Sequence, residues 1–247
     1  MTNFRGPRLK IKRAKKHITE LHNEVVAYVS RHPYLMVVQQ DADPEYYCWV
    51  LRIRENIPEE LSVILGDIVH NLRASLDILA CELVRLNGAD THNVYFPFSI
   101  DQDGLEDAIS RTHFNRAAPA VVDTIRTLKP YRGGNEVLRG VHDLDIMDKH
   151  KLLIPCSHFT GIPGLEIRNE SKTTAAVISC RIGPVQDGQC IMRTPIATNI
   201  EIGQEFDAAF AITLSERPFN SGPIVPMMHE LTQVVAGIVS TFEGHYP

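Results

Sequence analysis

Leu61, Leu65, Ile68, Leu72, Leu76, Leu79, Leu83 and Leu86 recur at intervals of four and three residues. At that interval side chains stack on one face of an α-helix. The row predicts a long helix over 61–86. Pro58-Glu59-Glu60 suits its start, because proline is tolerated in a first turn and acids favour the positive end of the helix dipole. Asn87-Gly88 suits its end. A second row, Ala14, Ile18, Leu21, Val25 and Val29, predicts an amphipathic helix over 8–31, stopped by Pro33. A third, Met228, Leu231, Val235, Ile238 and Phe242, predicts a closing helix.

Between these rows the pattern changes. Residues 34–40 and 46–54 are rich in β-forming side chains on either side of Asp41-Ala42-Asp43-Pro44, and read as a hairpin. Phe96-Pro97-Phe98 reads as a short extended segment. Short helices are expected at 104–113 and 119–128, and a longer one at 136–151 after a loop at 130–134. Beyond Lys151 strands are expected at 166–171, 175–182, 189–193 and 205–214, punctuated by Asn169-Glu170-Ser171, Gly183-Pro184 and Asp187-Gly188. Neither a repeat nor a low-complexity linker interrupts the chain. The pattern predicts an α+β fold in a single domain, 1–247. A helical bundle around the long central helix lies mainly in 1–151, and an antiparallel β-sheet with the closing helix in 152–247.

The side of the 61–86 helix away from the leucines is not an ordinary wet face. Val63, Gly66, Ala74, Ile78, Cys81 and Val84 lie there, so the helix is expected to be buried on both sides. The same side carries Asp67, His70, Arg73 and Asp77 at spacings of three, three and four, which makes them neighbours. Buried charge must be partnered. The partners are expected on 136–151, where His142, Asp145, Asp148 and Lys149 cluster. Asp148 falls within the apolar stripe of Val137, Val141, Leu144 and Met147, and Arg73 is its expected partner. His142, Asp145 and Lys149 share another side. The two helices are therefore expected to face each other across a polar network. Such a network can be a set of ion pairs that fixes helix register. It can also be a site, since a histidine with two acids and an arginine is a workable set for proton transfer and anion stabilisation.

Composition narrows the partners. The chain is 44% hydrophobic and 22% charged, an ordinary globular balance. No stretch approaches the roughly 20 apolar residues of a membrane span, and the N-terminus lacks the apolar core of a signal peptide. A cytoplasmic protein with no membrane partner is expected. Five cysteines at wide spacings, with no C-x-x-C, argue against a disulfide framework or a cysteine zinc site. The net charge of −5 is uneven. Arg5, Arg8, Lys10, Lys12, Arg13, Lys15 and Lys16 fall in the first 16 residues with no acid among them, leaving 18 basic against 30 acidic residues. A basic arm on an acidic body can contact phosphates or a second subunit, or it can simply be solvated.

Arg13-Ala-Lys-Lys-His-Ile-Thr-Glu-Leu21, Gly66-Asp-Ile-Val-His-Asn-Leu-Arg-Ala-Ser-Leu-Asp77, Phe96-Pro-Phe98 and His142-Asp-Leu-Asp-Ile-Met-Asp-Lys-His150 resemble the landmarks of an uncharacterised family of bacterial proteins of about this length. More remotely, the helical half is similar to the HEPN superfamily, helical bundles often found as RNA-cutting toxins. The resemblance implies a helix bearing an Arg followed after four to six residues by a His. Arg73 matches the Arg; residues 78–80 are Ile78, Leu79 and Ala80, so the His has no match, and His70 precedes the Arg on the same face.

The expected function is therefore that of a HEPN-like RNA- or nucleotide-associated protein with a buried polar site, a degenerate or rearranged endoribonuclease. His70, Arg73, Asp77, Asp148 and Lys149 are the candidate catalytic residues, and Asn71, His150, Arg13 and Lys16 the candidate binding residues. One alternative is a metal enzyme with Asp67, His70, His142 and Asp145 as ligands, since paired carboxylate/His motifs on facing helices hold metals in bundles. The sequence names no cofactor. Another is a non-catalytic homo-oligomeric module, joined through the basic arm and an exposed hairpin. Tyr46, Tyr47 and Trp49 are expected to pack the sheet rather than stack bases. Cys81 is expected to be inert, His17 and His22 to be surface residues, and Arg132-Gly133-Gly134-Asn135 to be a plain loop. Ser157-His158 is no nucleophile pair, because neighbours in a strand point to opposite faces. Gly161-Ile162-Pro163-Gly164 is expected to be a turn.

Overall fold

The structure, a computed structural model, describes residues 4–162, 185–198, 200–215, 219 and 222–245. Its described residues form six α-helices and six strands: α1 (Arg5–Val29), β1 (Tyr34–Gln40), β2 (Tyr46–Ile53), α2 (Glu60–Leu86), α3 (Leu105–Arg111), α4 (Pro119–Leu128), α5 (Glu136–His150), β3 (Pro155–Gly161), β4 (Cys190–Pro195), β5 (Glu205–Asp207), β6 (Ala209–Leu214) and α6 (Ile224–Gly244). The fold is α+β, as the periodicities predict. None of the described helices is long and apolar enough to cross a membrane. The strands expected at 166–171 and 175–182, the turns at Asn169-Glu170-Ser171 and Gly183-Pro184, the end of Gly161–Gly164 and Cys180 lie outside the described residues.

The chain forms two compact units, each assembled from separated stretches. The first comprises Met1–His22, Ser62–Leu153 and Val225–Pro247, and is helical. Its core is the leucine row of α2 from Leu65 to Leu83, with Ile11, Ala14, Ile18 and Leu21 of α1, Leu138, Val141 and Leu144 of α5, and Met228, Leu231, Val235 and Phe242 of α6, all buried. Helix α2 stops at Gly88, whose φ of +73° is the left-handed C-terminal conformation that glycine adopts without a Cβ penalty.

Two helices run antiparallel to α2. On one side α1 is tied on by Ser75 Oγ donating to the Pro7 carbonyl (3.1 Å) and Lys10 Nζ to Asn71 Oδ1 (3.3 Å), and His17 lies 4.0 Å from Asp67. On the other side the contact steps from Gly66 against Asp148 to His70 against Asp145. Arg8 of α1 also pairs with Glu243 of α6 and holds that carboxyl below its usual range.

The second unit, Asn23–Leu61 with Ile154–Ile224, holds both sheets. One sheet has the order β4-β2-β1-β5 and the other pairs β3 with β6, all antiparallel. Three expectations change here. The 34–54 hairpin is not exposed: it supplies the two central strands of a sheet whose edges come from beyond residue 189. The 205–214 run is not one strand, since β5 and β6 separate at Ala208 and join different sheets. Finally, Cys48 and Cys190, 142 residues apart, form a disulfide across β2 and β4. Trp49 is buried against Phe206 at 4.8 Å and donates to Thr194 Oγ1 at 3.0 Å, so the hairpin aromatic packs the sheet as expected.

Candidate functional site

The polar side of α2 divides into an open half and a closed half. Val63, Asp67 and His70 are exposed, whereas the Arg73 side chain is only 11% exposed and Asp77 28%. The helix is therefore not buried on both sides along its whole length. The closed half differs because the Phe96–Phe98 segment lies on it, with the Phe96 amide bonded to Asp77 and the Phe98 ring against Arg73.

In the open half, the His70 imidazole is 57% exposed, and its Nδ1 lies 3.3 Å from Asp145 Oδ1. Asp145 is 1% exposed, and its other oxygen accepts from Lys149 Nζ at 2.5 Å, one turn along α5. Thus the expected polar contact between the two helices exists, with Asp145 as its buried member. A buried carboxylate on one ring nitrogen fixes the tautomer and aims the other nitrogen outward. His70 Nε2 has no hydrogen-bond partner among the described residues. Next along α2, Asn71 is 8% exposed, donates to the Asp67 carbonyl (2.7 Å) and accepts from Lys10 (3.3 Å). Lys149 of α5 thus shares Asp145 with His70, and Lys10 of α1 reaches the adjacent Asn71.

Asp148 corrects the expected pairing with Arg73. Gly66 and Arg73 are seven residues apart, about 10 Å along a helix axis, and Asp148 packs on Gly66. Arg73 therefore takes Asp77, four residues on, at 2.6 Å. Burial, then the neighbouring Asp145 and Asp67, push the Asp148 carboxyl up. A Cβ at Gly66 would overlap that carboxylate. Gly66→Ala should cost about 1–3 kcal/mol, and Asp148→Ala in the same chain should recover most of it; additive losses in urea melts would show that the contact is absent.

The closed half is an assembly around Phe98. Asp77 Oδ1 also accepts from the Phe96 amide at 2.9 Å, which anchors the Phe96-Pro97-Phe98 segment. The Arg73 guanidinium lies 4.9 Å from the Phe98 ring centroid, and His142 stacks on that ring at 4.7 Å and 17°. Arg139 binds Asp143 and donates to the Ser99 carbonyl at 2.6 Å. Burial pushes the Asp77 carboxyl up, against the pull of Arg73.

Burial, and then the positive charges of Arg73 and Arg139, lower His142 to about 4. Its Nδ1 is buried without a hydrogen-bond partner among the described residues. Below the ordinary histidine value of about 6.5 the unfolded chain binds a proton that the folded chain does not. Stability from this group is therefore complete above pH 6.5 and is lost as pH falls toward 4. Asp77 and Asp148, raised, act with the opposite sign, so the wild-type curve mixes the three. His142→Phe isolates the histidine. It should match or exceed the wild type by about 1 kcal/mol at pH 7, since an unsatisfied nitrogen is removed. By pH 4 it should lead by a further 2 kcal/mol or so, the screening of a half-buried ring included. Parallel stability curves between pH 7 and pH 4 would refute this account.

The metal set expected from the sequence does not assemble. His142 is turned onto Phe98, and Asp67 faces His17. Among the described residues the group of three or more potential ligands that converges is Asp41, Cys48 and Cys190, in the other unit. Arg13, Lys16 and His150 are exposed and form no ion pair among the described residues. His17 is buried rather than a surface residue, 3.0 Å from Glu20. Burial raises the Cys81 thiol, as suits an inert cysteine. The 132–135 loop closes on itself: Asn135 caps α5 by accepting from the Leu138 amide, and the Gly133 amide donates to Glu136. Lys10, Phe98 and Arg139 were missed as members of the network. Only the landmark status of Phe96-Pro97-Phe98 pointed toward one of them. Compared with known family models, curated proteins and solved structures, the chain matches none.

Proposed function

We propose that this is a HEPN-like RNA-associated protein that works as an acid–base site on phosphodiesters, with His70 as its reacting group. The observation that carries the reading is the exposed His70 imidazole held through Nδ1 by the buried Asp145, with Nε2 unengaged. Such a nitrogen can take the proton of an RNA 2′-hydroxyl. The 2′-oxygen then attacks the adjacent phosphorus, the bond to the 5′-oxygen breaks, and the proton passes to that leaving oxygen. The products are a 2′,3′-cyclic phosphate and a free 5′-hydroxyl. Lys149 and Lys10 supply positive charge beside the phosphate, and Lys12, Arg13, Lys15 and Lys16 extend it along the exposed side of α1. Arg73 and Asp77 act as positioning residues, because both are engaged with each other and with the Phe96–Phe98 segment. No metal is needed for this chemistry.

The test is incubation of the purified protein with structured and single-stranded RNA in chelator, with binding measured across a salt series. Cleavage leaving cyclic phosphate ends, and binding that weakens steeply with salt, support the reading. RNA neither cut nor bound would end it; binding without cutting would leave the association and remove the catalysis.

A further inference from the structure

We propose that Asp41, Cys48 and Cys190 form a redox-gated site for a thiophilic divalent cation of the Zn2+ class. Side chains alternate between the two faces of a sheet, and paired residues share a face. Cys48 pairs with Arg193 and Tyr46 with Pro195, so these positions share one face. In unbroken register Cys190 would lie opposite Leu51, on the other face. The register shifts between Trp49 and Val50, so that Val50 pairs with Cys190 and Ile191 is the extra residue. This bulge brings Cys190 to the face of Cys48. Asp41, just beyond the Gln40–Tyr47 pair of β1 and β2, has the same parity. A carboxylate and two cysteines are thus gathered on one face from three places in the chain, and their donor atoms lie within 4.8 Å of one another.

The surroundings suit a ligand set. Cys48 is buried, Cys190 half-buried, and the Asp41 side chain 15% exposed. Asp41 Oδ1 accepts from Arg193 Nη2 (2.9 Å) and the Asp43 amide (3.0 Å), and Oδ2 accepts from Arg193 Nε (2.9 Å). Arg193 is itself held against the Tyr46 ring at 4.7 Å, so the carboxylate is fixed by a partner that is also fixed. Two thiolates and one carboxylate fill three positions of a tetrahedral zinc site, with water as the fourth.

The gate is the Cys48–Cys190 disulfide. Disulfide sulfurs are poor donors, so the oxidised form binds no cation. Two equivalents of a small thiol of the glutathione class reduce it: the protein S–S bond breaks, two cysteine thiols form, and the small thiol leaves as its own disulfide. The cation then displaces one proton from each thiol.

The experiment uses the full chain with Cys81, Cys156 and Cys180 replaced by serine, titrated with Cd2+ in disulfide form and after reduction by a phosphine. Expected are one Cd2+ per chain and an ultraviolet thiolate-to-cadmium band in the reduced form, and neither in the oxidised form. Cys48→Ser should lose the band, and Asp41→Asn should weaken binding by about tenfold or more. In case a variant fails to fold, a second reading uses the reduced wild-type chain. There Zn2+ should slow alkylation of Cys48 and Cys190 but not of Cys81, read peptide by peptide by mass spectrometry. A reduced chain with no band and no protection overturns the proposal, as does a band that survives Cys48→Ser or protection shared by Cys81.

Discussion

Arg73→Ala should destabilise the helical unit by about 2–4 kcal/mol. The guanidinium is nearly buried, and its partner Asp77 is held in place by the Phe96 amide. Removing Arg73 leaves that carboxylate mostly enclosed with a single donor. It also strips the Phe98 ring of its cation, worth about 0.5–1 kcal/mol more. For a chain of this size the melting midpoint should fall by about 5–10 °C. Asp77→Asn keeps an oxygen for the Phe96 amide and removes the charge. Combining it with Arg73→Met should therefore recover much of the loss, since replacing both members of a buried pair costs far less than breaking it. An Arg73→Ala chain that melts with the wild type would show that the ion pair does not hold the Phe96–Phe98 segment to α2.

His70→Ala is expected to do the reverse. The ring is half out of the protein and contributes one hydrogen bond, so thermal melts should move little. RNA cleavage should fall by about 10²–10⁴-fold, the usual loss when a general base is removed. Asp145→Asn should also lower activity, because an amide can donate to Nδ1 and stabilise the tautomer whose proton sits on Nε2. It should shift the acid limb of the pH–rate profile, which a merely structural residue would not do. Equal cleavage by wild type and His70→Ala would remove His70 from the mechanism. The two variants together separate the closed half of the polar stripe, which holds structure, from the open half, which is available for chemistry.

The sequence read the helices well because their information is local. The leucine row of α2 needs only its own spacing, and Gly88 marks its end without reference to any other element. Helical periodicity likewise placed Asp67, His70, Arg73 and Asp77 on one side of α2, and the need to partner buried charge pointed to a contact with α5. Which acid meets which base could not. Asp148 and Arg73 looked complementary by chemistry, but Gly66 lets α5 come close at a point seven residues too early for that pair. A missing Cβ is visible in sequence; the approach it permits is not.

By itself, then, the sequence determined the helices, their apolar faces and the β-hairpin, since each follows from the 3.6- or 2-residue period within one segment. Only the tertiary structure decided the remainder. It placed the hairpin in the middle of a sheet, split 205–214 between two sheets, and closed 142 residues with a disulfide. It also exposed His70 while enclosing Arg73 on the same helix face. Each of these depends on which distant segment comes alongside. Strand pairing, a bulge in β4 and the close packing of α5 on Gly66 are long-range choices, and no local periodicity records them.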